Sequence, residues 1–158
     1  IHTATGNPPA DGPDLGGRYN AISAFTDLAM SHVPDMFPGL RTGWIETGAS
    51  WVPFLHADLV AKDRKLTFHP FDFKSDIFRR NRFYVACDTS DDLPYILQYG
   101  LEDSLMIGTD YTHADQSAEI RALDVIEEKG NTGEIPNLIA PLHKVSSINQ
   151  RTLLLISH

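Results

Sequence analysis

Apolar positions along the chain switch between a helical and an extended period. From Ala21 to Val33 they fall at Ile22, Phe25, Leu28, Ala29 and Val33, the spacing of a helix face, and Pro34 stops the pattern. Leu40 to Glu46 predicts a short strand that runs into Thr47-Gly48. Trp51 to Val60 predicts a helix with Trp51, Leu55 and Leu59 on one stripe and Pro53 in its first turn. Arg82 to Cys87 reads as a strand by its β-branched and aromatic content. Ser90-Asp91-Asp92 then supplies an N-cap and acidic first turn for a helix over Leu93–Tyr99, which Gly100 ends. Leu105 to Thr109 is a continuous apolar run, the pattern of a strand covered on both faces. Gln116 to Lys129 predicts a further helix, with Ile120, Leu123 and Ile126 on its inner edge and Gly130 as its stop. Pro136 to Ile148 reads as one more helix, residues 6–18 as loop, and residues 62–75 carry no clear period.

Strand and helix thus alternate, with strand centres near Ile45, Val85 and Ile107. Alternation of this kind predicts the α/β class, a parallel sheet with helical cover. The opening residues, Ile1-His2-Thr3-Ala4-Thr5-Gly6, read as the end of a buried strand entering a loop, which adds a fourth strand and suggests a fragment of a longer chain. In such folds the chemistry sits where strands end and loops begin. His2, Glu46, Asp88 and Asp110 all fall at those ends.

Composition narrows the function classes. The 158 residues carry 13 Lys and Arg against 21 Asp and Glu, a net charge of −8, which disfavours a nucleic-acid or anionic-membrane surface. No apolar run approaches the roughly 20 residues of a membrane span. Cys87 is the only cysteine, so an internal disulfide framework and a cysteine metal cluster are excluded. The expectation is a cytoplasmic protein acting on a small-molecule substrate, with no nucleic-acid or membrane partner.

Candidate chemistry gathers in three places. Asp110, in Thr109-Asp110-Tyr111-Thr112-His113, is a carboxylate at the mouth of an apolar strand, costly there without a partner. It reads either as a metal ligand, carboxylate and imidazole together suiting zinc or manganese, or as part of a helix cap. His2 is a lone histidine at a strand end, and a zinc site needs at least three protein ligands, so the remaining ones must come from elsewhere. Glu46, set among Gly43, Gly48 and Ala49, reads as a general acid/base or as an orienter of bound water. Its bland alternatives are a pair with Arg41 or a cap on the helix that begins near Trp51. The run Arg79-Arg80-Asn81-Arg82 reads as a solvated face or an intersubunit ion pair. Cys87 has no evident helper base and is not expected to act as a nucleophile.

Taken in order, Phe37-Pro38-Gly39-Leu40-Arg41, Glu46-Thr47-Gly48-Ala49-Ser50-Trp51-Val52-Pro53 and Ile107-Gly108-Thr109-Asp110-Tyr111-Thr112-His113-Ala114-Asp115 resemble the carboxyl half of the amidohydrolase-related family. This branch of metal-dependent hydrolases includes aminocarboxymuconate-semialdehyde decarboxylase. The resemblance covers about residues 1–149. It implies strands five to eight of a TIM (β/α)8 barrel, with residues 1–158 forming one partial domain that lacks the amino-terminal half. It implies that one divalent metal, zinc first and manganese second, is held by His2 and Asp110, the family's strand-one ligands having no counterpart in this sequence. Asp110 would also move protons, Glu46 would share the catalytic work, and His113 and Trp51 would line the substrate pocket.

Two departures are visible. Several decarboxylases of the family carry a histidine three residues before the strand-six glutamate, where this chain has Gly43. The family's closing Asn-Pro-x-x-Leu-Tyr-Gly segment survives only in part at Asn149–Leu154. The first expectation is therefore a hydrolase working through metal-activated water, with non-oxidative decarboxylation of an aromatic or enoic acid second. A catalytically inactive half-barrel serving as an assembly module is the third. A barrel needs about 250 residues, so the folded form is expected to pair with a missing half or with another copy.

Overall fold

In a computed structural model of the chain, residues 1, 16–65, 77–107 and 120–131 are described. The order of elements is α1 (Gly16–Ala29), α2 (Val33–Met36), β1 (Thr42–Trp44), α3 (Val52–Asp63), α4 (Ile77–Asn81), β2 (Phe83–Cys87), α5 (Leu93–Leu97), β3 (Leu105–Ile107) and α6 (Ala122–Asn131). Helix α1 begins at Gly16, within the stretch expected to be loop: Ala21, Phe25 and Ala29 bury one stripe, and that packing outweighs the poor helix propensity of two leading glycines. Helix α4 was not legible in advance. It is a single turn that buries Ile77 and Phe78, too short to show a period. The helix expected over Gln116–Lys129 is described from Ala122 onward, and the helix expected over 136–148 lies outside the described residues.

The three strands form one parallel sheet in the order β1-β2-β3. Thr42 pairs with Phe83, Trp44 with Val85, Val85 with Leu105, and Cys87 with Ile107. Ile1 extends the ladder on the far side of β1: its ammonium donates to Gly43 O at 2.7 Å and its carbonyl accepts from Ile45 N at 2.9 Å. Those two bonds straddle Trp44 in the manner of a parallel neighbour, as the expected strand end at Ile1 requires. Sequence order and spatial order therefore agree across the sheet, with no reversal of direction among the described strands.

Side chains alternate across a strand, so Trp44, Phe83, Val85 and Cys87 share one face. Helix α1 covers that face. The Phe25 ring lies 4.9 Å from Trp44, 5.2 Å from Trp51, 5.5 Å from Phe78 and 5.4 Å from Phe83. Such tilted and edge-on contacts contribute about 0.5–1.5 kcal/mol each beyond the area they bury. Trp44 is fully buried, and its Nε1 donates to Ala21 O at 3.1 Å, which satisfies the indole and fixes α1 against β1. The opposite face carries Gly43, Tyr84, Ala86 and Met106, and Met106 Cε lies 3.1 Å from where a Cβ on Gly43 would stand.

The amino ends of the strands are tied by a cation. Arg82 sits at φ 54°, just before β2. Its guanidinium donates to Leu40 O at 2.9 Å and more weakly to Pro34 O at 3.4 Å, while its own carbonyl accepts from Thr42 N. Part of the basic run thus holds the turn before β1, and Arg79 and Arg80 remain exposed.

Candidate functional site at the carboxyl ends of the strands

Residues 45–51 leave β1 and residues 88–92 leave β2 at the same edge of the sheet. One carboxylate joins the two loops. Asp91 Oδ2 accepts from Ala49 N at 2.8 Å and from Asp88 N at 2.8 Å. Its Oδ1 accepts from Ser50 N at 3.1 Å and from the Ser50 hydroxyl. The amides of Ala49 and Ser50 lie at the head of α3, whose N-cap residue Trp51 makes no side-chain cap. A carboxylate there stands near the positive end of the helix and satisfies two amides of the turn before it. Asp91 therefore ties the β2 loop to the turn that leads into α3. Asp92, next to it, caps its own helix by accepting from Tyr95 N at 3.2 Å.

The β1 loop bends sharply. Glu46 takes φ 61° and Gly48 φ 60°. At Gly48 the left-handed backbone favours glycine, and a Cβ there would stand 3.0 Å from Asp88 Oδ2, so the exposed Asp88 carboxylate would have to shift. At Glu46 the same conformation is strained, at a cost of about 1–2 kcal/mol. The hydroxyl of buried Thr47 and the indole N–H of Trp51 both donate to the Gly48 carbonyl, at 2.9 and 2.8 Å.

Glu46 and Trp51 are thus the sequence-predicted site residues that lie in the described structure, and they share one loop. Trp51 turns its ring toward Phe25 and its N–H toward Gly48, half-buried at the rim of the core. Asp88 stands directly after β2 and exposed, with its carboxylate close over Gly48. His2, Asp110 and His113 lie outside the described residues. Among the described residues no three His, Cys, Asp or Glu side chains converge as metal ligands. A metal centre would have to draw on residues beyond them.

Sequence reasoning assigned Asp91 to the cap of α5 and missed its contact with the α3 head, 41 and 42 residues away in the chain. The available signal was the acidic trio after β2 facing a glycine-rich loop after β1. Burial first, then the nearby Asp91 and Asp88 carboxylates, push the Cys87 thiol from 9.0 up to about 12, away from the thiolate form that a nucleophile needs. Its Sγ donates to Met106 O at 3.2 Å. Lys129, on α6, donates to Thr89 O at 2.5 Å and fastens that helix to the β2 loop.

No protein-family model matches the chain, and no curated protein matches it. Its fold is similar to the crystal structure of an amidohydrolase from Mycobacterium avium subsp. paratuberculosis, with 19% sequence identity and a TM-score of 0.59. The likeness covers 70% of this chain and 29% of the amidohydrolase chain. An amidohydrolase-like α/β fold, spanning less than a third of that longer protein, is the conclusion these facts carry. Among the described residues no helix is long and apolar enough to cross a membrane.

Proposed function

We propose that the loops at the carboxyl ends of the strands form part of the active site of a metal-dependent hydrolase of the amidohydrolase superfamily, acting on a small organic substrate. The reading takes the sheet as strands five to eight of a barrel, completed by polypeptide outside these 158 residues. What carries it is the coincidence of an amidohydrolase-like fold with a carboxylate, Glu46, held in strained backbone at the end of a parallel strand. Strain of that kind persists where surrounding structure over-determines it, as it does in active sites.

In this reading a divalent metal, zinc before manganese, is held by His2, Asp110 and ligands from the rest of the barrel, and it supplies Lewis acidity at the scissile group. Glu46 holds or accepts a proton beside the substrate, and Asp110 shares that work. Position 43 favours hydrolysis over decarboxylation. The histidine of decarboxylase relatives is replaced there by a glycine, against which the Met106 methyl packs, 3.1 Å from where a Cβ would stand.

Equilibrium dialysis against Zn2+ and Mn2+ tests the ligand assignment. The wild-type chain should bind weakly, and His2→Ala and Asp110→Asn should each reduce that binding at least tenfold. Unchanged binding in both variants would overturn the assignment.

A further inference from the structure

We propose that Asp91 is the positioning residue for Glu46, holding it by a bridge from the β2 loop. The proposal rests on the reading of Glu46 as the acid/base of the site and adds what sets its geometry. Glu46 stands in a left-handed backbone that its residue type disfavours, so something beyond local preference must keep it there. Upstream, Ile45 directly after β1 is held by its N–H, which donates to Ile1 O. Downstream, the chain is held three and four residues later, where Ala49 N, Ser50 N and the Ser50 hydroxyl all end on Asp91.

The intervening residues have little freedom, since Thr47 and Trp51 both fasten the Gly48 carbonyl. Asp91 is itself held by its neighbour: Asp88 N donates to its Oδ2, and Asp91 N donates to Asp88 O at 3.1 Å. The bridge is thus a rigid element on a strand-anchored turn, with β2 as its base. A single carboxylate gathers the amides of the turn that follows Glu46 and so fixes where the strained glutamate stands.

The test is NMR on labelled protein, with neither metal nor substrate added. In Asp91→Ala the Glu46 13Cα and carbonyl shifts should leave left-handed values, and exchange protection of the Ala49 and Ser50 amides should fall about tenfold or more. Asp92→Ala removes the cap of α5 next door and should leave those signals in place, separating positioning from a general loss of stability. Asp91→Asn, which keeps an oxygen toward Ser50 but offers an NH2 to Ala49, should give an intermediate result, and it carries the test if Asp91→Ala does not fold. Unchanged Glu46 and Ala49 signals in a folded Asp91 variant would overturn the proposal. A chain that binds no metal would sink the functional reading and leave these shifts as predicted, so the two failures are distinguishable.

Discussion

The two ends of the sheet solve the same problem with opposite charges. At the amino ends a guanidinium, Arg82, gathers the carbonyls of Leu40 and Pro34. At the carboxyl ends a carboxylate, Asp91, gathers the amides of Ala49, Ser50 and Asp88. Among the described residues each end also contains one non-glycine residue in left-handed backbone. The division of labour differs. At the amino end the strained residue and the clamp are one side chain, so Arg82 holds its own conformation. At the carboxyl end the strained residue is Glu46 and the clamp is Asp91, two separate side chains. That separation leaves the Glu46 carboxylate free of the clamping role, as the proposed acid/base function would require.

The largest expected effect comes from the core both ends share. Trp44→Ala removes the indole packed on Phe25 and Phe83 together with its bond to Ala21. It should cost about 3–5 kcal/mol in urea unfolding, and both clamps should be lost in one transition.

A smaller effect follows from Cys87, whose thiol titrates near 9.0 when unfolded and near 12 when folded. Below pH 9 both states keep the proton and its contribution to stability is complete. As pH rises from 9 toward 12 the unfolded thiol ionises first, so that contribution is progressively lost. By pH 11 the loss should reach about 2–3 kcal/mol, read as the difference between wild type and Cys87→Ala in unfolding free energy.

The sharpest contrast between the ends uses glycine. Arg82→Gly relieves a positive φ but deletes the clamp, and should lose about 1 kcal/mol. Glu46→Gly relieves a positive φ and leaves the Asp91 clamp intact, so stability should stay within about 0.5 kcal/mol of wild type. Equal losses at the two positions, measured by thermal unfolding, would erase the contrast.

The parts of the fold legible in the sequence were those whose period is written locally. The strands around Trp44, Val85 and Met106 showed extended, apolar content, and the Asp92 cap preceded its helix directly. The single turn of α4 was not legible, because burial of Phe78 against Phe25 rather than propensity decides it, and the start of α1 was not, because two glycines lead it. Glu46 was readable as a strand-end carboxylate among glycines. Its positive φ was not, since that depends on a bridge to a loop more than 40 residues away. Such a contact follows from the register of β1 against β2, which no local pattern contains.

The most direct test of the account is a Co2+ titration followed in 1H–15N NMR spectra. Paramagnetic broadening should concentrate at Glu46, Asp88 and Ile107, at the carboxyl ends, and spare Leu40, Arg41 and Arg82 at the other edge. Broadening centred on the amino ends, or none at saturating cobalt, would contradict it.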